Sequence, residues 1–71
     1  MTGRVSRWYK RDGYGYIEGN DKKSYYVHFS YISDDFLDFT FKKNLCIGET
    51  VRFIPAHNRF GDIAANVTAA V

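Results

Sequence analysis

Cysteine is nearly absent from this sequence, since Cys46 is the one cysteine in a chain of 71 residues. A single cysteine excludes an intramolecular disulfide, and no cluster of side chains has the spacing of a zinc site. We therefore expect no bound metal or other cofactor. A domain that keeps no disulfide also fits a reducing, cytoplasmic location.

Long hydrophobic runs are missing as well. The first eight residues, MTGRVSRW, contain no apolar stretch of signal-peptide length, and no segment is long enough to cross a bilayer. The sequence thus predicts an unsecreted protein with no membrane partner. Its length is typical of one small domain, residues 1–71, which we expect to be monomeric.

Proline occurs only at Pro55, and helical periodicity is scarce. Apolar and polar residues alternate instead, which predicts short strands at about 3–9, 13–19, 23–29, 47–56 and 62–70. The segments EGNDKK, from Glu18, and HNRFGD, from His57, contain the Gly, Asn and Asp residues of tight hairpins. Because five short strands leave exposed edges unless the sheet closes, we predict an all-β fold, a five-stranded antiparallel barrel.

Alternation within each strand also assigns a core. The residues predicted to face inward are Val5, Ile17, Val27, Ile32, Val51, Phe53, Ala65 and Val67. The connection between strands 3 and 4 is the exception to the strand pattern, because Ser33 and the two acidic residues after it resemble a helix N-cap. One short helical turn containing Phe36, Leu37 and Phe39 is expected there.

Aromatic side chains are abundant, at 18% of the sequence. Successive side chains of a strand face opposite sides, so Tyr14 and Tyr16 share one face of strand 2. If the hairpin pairs as its turn suggests, Tyr26 and His28 of strand 3 lie on the same outer face. Tyr25 then points inward, where its hydroxyl needs a hydrogen-bond partner.

Four polar-tipped rings on an outer face are typical of a binding site rather than of a core. The glycines at positions 13 and 15 are expected to leave the backbone bare, so that a flat ligand can approach. Basic side chains occur nearby at Arg7, Lys10, Arg11 and Lys22. A site for single-stranded nucleic acid needs aromatic rings on which bases stack and basic side chains that contact phosphates. The alternative is that the rings form cross-strand pairs that only brace the hairpin.

The same motifs resemble the cold-shock domain family, whose fold is an OB-fold barrel. DGYGYI (Asp12–Ile17) is similar to its Lys-Gly-Phe-Gly-Phe-Ile motif, and YYVHF (Tyr25–Phe29) to its Val-Phe-Val-His-Phe motif. LCIGETVRF (Leu45–Phe53) and AANVT (Ala64–Thr68) resemble its later strands. The resemblance implies binding of single-stranded RNA and DNA with little sequence demand, and RNA-chaperone activity. It implies stacking roles for Tyr14, Tyr16, Tyr26, His28 and Phe29.

Three of the departures from the family pattern bear directly on the contacts with a ligand. Asp12 stands where the family has a phosphate-contacting lysine, so Lys10 or Arg11 would replace that contact. In strand 1, Trp8 aligns with the family's stacking tryptophan only after a one-residue shift, which leaves its facing open. The loop after Ile32 is longer than usual, and the family's stacking phenylalanine there could be Phe36, Phe39 or Phe41.

Other functions are less well supported by the sequence. No nucleophile–base pair or set of paired carboxylates accompanies the single histidine of the aromatic patch, so we expect no enzymatic activity. The alternative to nucleic-acid binding is a protein-interaction module that docks a partner through the aromatic and acidic loop at residues 34–41, because fold alone does not determine function. Base preference and the choice between RNA and DNA stay open.

Overall fold

The computed structural model describes residues 1–36, 43–59 and 61–70. These residues form five strands: β1 Thr2–Tyr9, β2 Tyr14–Gly19, β3 Ser24–His28, β4 Thr50–Asn58 and β5 Gly61–Ala69. Two single 3-10 turns, Phe29–Tyr31 and Asp34–Phe36, lie between β3 and β4. All five predicted strands are confirmed; the largest difference is at the start of β4, predicted at residue 47 and observed at Thr50. The described residues include no helix that is long and apolar enough to cross a bilayer.

The strands form one sheet that closes into a ring in the order β1-β2-β3-β5-β4, consistent with the predicted OB-fold. Every neighbouring pair is antiparallel except β3 and β5, which pair in parallel at Tyr26 and Ile63. The predicted all-β, five-stranded OB-fold is confirmed, with one parallel pair in an otherwise antiparallel sheet. Strand directions cannot alternate all the way round a ring with an odd number of members, so one neighbouring pair has to be parallel.

The predicted core is confirmed for seven of its eight residues, which are at most 2% exposed: Val5, Ile17, Val27, Ile32, Val51, Phe53 and Val67. The prediction that Ala65 faces inward is wrong, since Ala64 is fully buried in its place. The register of β4 with β5 moves from Arg52–Thr68 to Ile54–Ala65, so β5 contains one extra residue. Such a bulge reverses the alternation of faces beyond it, which turns Ala64 inward.

Tyr25 also lies in the core, and its hydroxyl has the partner that burial requires. It is 4% exposed, and its hydroxyl donates a 2.7 Å hydrogen bond to Oδ2 of Asp21. Asp21 belongs to the predicted β2–β3 turn, where its Oδ1 accepts a hydrogen bond from the Lys23 amide at 3.1 Å. The Lys22 amide donates to the Gly19 carbonyl at 3.0 Å and closes the turn. This turn therefore sets the register of β2 and β3 and holds one end of the core.

The helical turn predicted after Ser33 is present as the 3-10 turn Asp34–Phe36. The Phe36 amide donates to the Ser33 carbonyl at 3.3 Å, and the Asn44 amide donates to the Phe36 carbonyl at 3.3 Å. Leu37 and Phe39, also expected in this turn, lie outside the described residues.

Candidate nucleic-acid interface

The pairing of β2 with β3 brings the predicted rings together. Tyr14 lies opposite His28, and Tyr16 lies opposite Tyr26, on the outside of the sheet. The intervening residues of both strands, Ile17 and Val27 among them, are buried beneath it. The prediction that these four side chains share the outer face of the sheet is confirmed, because β2 and β3 pair without a bulge.

These rings contact one another. The centroid of Tyr14 lies 5.8 Å from that of Tyr26 and 6.4 Å from that of Tyr16, and the Tyr16 and Tyr26 centroids are 6.0 Å apart. Tyr16 is 36% exposed, so much of its ring is accessible to solvent. Burial, together with the nearby Asp12 carboxylate, raises the pKa of Tyr14 above its ordinary value of 10.0.

Tyr9 is a member of this surface that the sequence did not predict. The register of β1 with β2 moves from Val5–Ile17 to Arg7–Tyr16, so β1 contains an extra residue and Tyr9 lies opposite Tyr14. The Tyr9 ring is 40% exposed, and its centroid lies 5.0 Å from that of Tyr14. We call the surface of Tyr9, Tyr14, Tyr16, Tyr26 and His28 the aromatic face.

Trp8 lies on the other side of β1, so the structure does not bring it onto the aromatic face. Its partly buried indole packs against the core, and Nε1 donates to Oδ1 of Asn44 at 3.3 Å. It lies opposite Gly15, where a Cβ atom would be only 2.8 Å from Cε3 of Trp8. A ligand contact by Trp8 stays a prediction.

The two glycines of the motif are covered by aromatic rings, which corrects the expectation of a bare backbone open to a ligand. Gly15 is buried beneath Trp8, and a Cβ atom at Gly13 would lie 2.8 Å from Cδ1 of Phe29. Gly13 also has a φ of 72°, a conformation that other residues rarely adopt. These glycines thus allow rings of the protein itself to pack closely.

His28 and Phe29 extend the aromatic surface at the end of β3. Nδ1 of His28 accepts a hydrogen bond from the Ser30 amide at 3.3 Å, so the neutral ring carries its proton on Nε2. The Phe29 ring is 47% exposed, and its centroid lies 4.4 Å from that of His28. Phe29 therefore adds an exposed apolar ring next to His28, at the edge of the aromatic face.

The basic residues lie in different places around this surface. Arg7 is opposite Tyr16 and lines a shallow groove with Tyr9 and Tyr16. Lys10 and Arg11 line a second groove of about 280 Å³ with Asp12, Gly13, Phe29, Lys43 and Asn44. Lys22 instead lines a separate groove with Arg4, among polar residues and glycines. Arg7, Lys10 and Arg11 thus adjoin exposed rings, whereas Lys22 does not.

Of the three phenylalanines considered in the long loop, the structure describes Phe36. It is 9% exposed and belongs to the core cluster, so it is not brought to the aromatic face. Phe39 and Phe41 lie outside the described residues, and a stacking role for either stays a prediction. Lys43, at the end of this loop, is engaged within the fold: Nζ donates to the Ile32 carbonyl at 2.8 Å and lies 3.3 Å from Oδ1 of Asp34.

Comparison with known proteins gives a match over nearly the whole chain. The family model described as the 'Cold-shock' DNA-binding domain matches residues 1–70. No curated protein matches the chain with significance. The matched range includes all five strands and the whole aromatic face.

Proposed function

The chain belongs to the 'cold-shock' DNA-binding domain family, whose members bind nucleic acid, and we propose that it binds single-stranded RNA or DNA with low sequence specificity. Bases stack on the rings of the aromatic face and on Phe29. Phosphates lie beside Arg7, Lys10 and Arg11. The observation that carries this proposal is the β2–β3 register, which assembles four partly exposed rings on one side of the sheet.

The chemistry of the aromatic face supports stacking rather than sequence readout. Every base has a π-face, so an exposed ring accepts any of them, with about 1–3 kcal/mol per stacked base. Stacking also makes no use of the ribose 2′-hydroxyl, which is the group that distinguishes RNA from DNA. The same surface therefore serves either polymer.

The position of the basic residues supports phosphate contacts at the border of the rings. Arg7 shares a groove with Tyr9 and Tyr16, and Lys10 and Arg11 share one with Phe29. Phosphate contacts position a strand without reading its sequence. A strand held in this way has its bases on protein rings and not on one another, so we also propose that the protein acts as an RNA chaperone that keeps RNA single-stranded.

Substitution of Tyr16 tests the stacking proposal. Tyr16→Ala should weaken binding of a thymidine heptamer by about 1–3 kcal/mol, a roughly 5- to 150-fold rise in Kd, measured by isothermal titration calorimetry. Tyr16→Phe is the matched control, because it keeps the ring and removes only the hydroxyl. Tyr16 is the better position for this test than His28, because the His28 imidazole also accepts a hydrogen bond from the Ser30 amide, which its removal would break.

Thermal melting of the same variants separates a binding role from bracing. If the rings only brace the hairpin, Tyr16→Ala should lower stability by up to about 1 kcal/mol per cross-strand pair and leave the affinity of the folded protein unchanged. Wild-type affinity in Tyr16→Ala and His28→Ala would contradict the stacking proposal. The protein-interaction alternative, whose loop extends into residues outside the described ranges, would then be the better account.

A further inference from the structure

A cavity of about 640 Å³ adjoins the aromatic face where β3 meets β5. Its walls are formed by residues of β2, β3 and the turn after β3, three of them tyrosines, together with residues of the β4–β5 hairpin. The lining residues are Tyr16, Ser24, Tyr26, Tyr31, Asn58, Asp62 and Ile63. Its volume is within the range of about 300–1,000 Å³ that is usual for small-ligand sites.

Asp62 is the one acidic residue among the described residues that line this cavity. It directly precedes Ile63, which pairs with Tyr26, so its backbone lies beside the strand that carries that ring. Its side chain is 43% exposed, and Nδ1 of His57 lies 3.2 Å from Oδ1. A carboxylate repels phosphates. A carboxylate beside rings that stack bases is therefore better placed to contact the edge of a base than the sugar-phosphate backbone of the bound nucleic acid.

The Watson–Crick edges of the bases differ in what they offer an ionised carboxylate, which only accepts hydrogen bonds. Uracil and thymine present one N–H between two carbonyl oxygens, and those oxygens repel the carboxylate. Cytosine and adenine present an amino group next to a ring nitrogen acceptor. Guanine presents N1–H and the N2 amino group side by side, two donors that match the two oxygens of one carboxylate.

We propose that Asp62 makes this cavity a guanine-preferring subsite within an otherwise tolerant binding surface, an inference that rests on the proposed function. The guanine stacks against a tyrosine ring of the cavity and donates from N1 and N2 to the Asp62 carboxylate. A carboxylate has about four lone-pair sites, so the contact with His57 leaves acceptor capacity for both donors. His57 acts as a positioning residue for that carboxylate.

The test compares a thymidine heptamer with the same heptamer carrying one central guanosine, each titrated calorimetrically into the wild-type protein. The guanosine oligonucleotide should bind about fivefold more tightly or better, the lower end of what a bidentate contact discriminates. Inosine at the same position lacks the N2 amino group and should lose part of that gain. In Asp62→Asn the guanosine and inosine oligonucleotides should bind alike, because the second acceptor oxygen is gone.

Asp12→Asn is the matched control. It removes one negative charge from the groove that Lys10 and Arg11 line, a different groove from the Asp62 cavity. It should therefore strengthen binding of all three oligonucleotides to a similar degree and keep the guanosine preference. The combination of base change and residue change forms a double-mutant cycle that isolates the contact from the general effect of charge.

Two results would overturn the inference alone: binding of all three oligonucleotides by the wild type without a guanosine preference, or a preference that survives in Asp62→Asn. In both cases the protein still binds single strands, and the proposed function stands. Failure of the wild type to bind any of the oligonucleotides would overturn the proposed function, and this inference with it.

Discussion

At the scale of single residues, the structure decides between Trp8, whose facing the sequence left open, and its neighbour Tyr9. Tyr9 is on the aromatic face, 5.0 Å from Tyr14, whereas the Trp8 indole packs toward the core. We predict that Tyr9→Ala raises the Kd for a thymidine heptamer at least about fivefold, the effect of losing one stacked base. Titration calorimetry measures it.

Tyr9→Phe should bind as the wild type does, because the ring remains. The melting temperature should be nearly unchanged in both variants, since Tyr9 is 40% exposed and outside the core cluster. If Tyr9→Ala binds as tightly as the wild type, Tyr9 only supports Tyr14 and makes no contact with the strand.

The Tyr25–Asp21 hydrogen bond leads to a prediction about pH. The bond to Asp21, together with burial, raises the pKa of Tyr25 from 10.0 to about 12, and the same bond lowers the pKa of Asp21 below 3.8. The Tyr25 contribution to stability is therefore complete below pH 10 and is lost as the pH rises toward about 12. The Asp21 contribution is present above its ordinary pKa and is lost as the pH falls through the lowered value.

Thermal melting followed by circular dichroism across both pH ranges checks this prediction. Tyr25→Phe should be less stable than the wild type at neutral pH and should lose less further stability at either extreme, since it has no hydroxyl to form the bond. Tyr9→Phe is the matched control, because it removes an exposed hydroxyl that takes no part in the Tyr25–Asp21 hydrogen bond. Equal pH dependence of Tyr25→Phe and wild type would show that the bond contributes nothing to folding.

At the scale of elements, the bulge in β5 decides which side of that strand faces the core. Asn66 lies in the bulge with a φ of 50°, in the left-handed region that asparagine tolerates better than most residues. We predict that Asn66→Val lowers the free energy of unfolding by about 1–2 kcal/mol, the cost of holding a residue other than glycine or asparagine in this conformation. Denaturant unfolding measures the loss.

Asn66→Gly is the matched control, because glycine adopts this φ without a steric penalty and the side chain it removes is exposed. Its stability should stay within about 1 kcal/mol of the wild type, the range of the entropic cost of a glycine. If Asn66→Val unfolds at the same denaturant concentration as the wild type, the bulge can move along β5, and Ala64 is not fixed in the core by Asn66.

The two bulges also explain where prediction from the sequence succeeded and where it stopped. Alternation assigned both faces of β2 and β3 correctly, because those strands pair residue for residue. It missed Tyr9 and exchanged Ala64 for Ala65, because β1 and β5 each contain an extra residue. A bulge depends on the backbone conformation of one residue against its partner strand, and hydropathy carries no signal of it.

Asp62 could not be predicted from the sequence as part of a cavity either, because it is the parallel β3–β5 pair that brings it beside Tyr26.

At the scale of the whole molecule, the positions of the basic residues predict the salt dependence of binding. Net charge is only +2, so affinity depends on a few local cations, and the slope against salt should be shallow. Replacing Lys10 and Arg11 together with alanine should weaken binding of all oligonucleotides about equally. It should also reduce the slope of log K against log salt by about 0.7 for each phosphate that the protein no longer neutralises.

Lys22→Ala is the control for this prediction, because Lys22 lines a groove with Arg4, away from the exposed rings. It should change both affinity and slope less than the Lys10 and Arg11 pair does, as measured by titration at several salt concentrations. A change in base preference on replacement of Lys10 and Arg11 would contradict their assignment to phosphates.

The position of Trp8 has a spectroscopic consequence. Its indole is partly buried, and its N–H is held by Asn44, which precedes β4 at the end of the long connection from β3. As the one tryptophan in the chain, it accounts for nearly all long-wavelength fluorescence of the protein. Its emission should lie to the blue of free tryptophan and move to the red when the Asn44 segment detaches. The intrinsic fluorescence therefore reports on whether the Asn44 segment stays packed against Trp8.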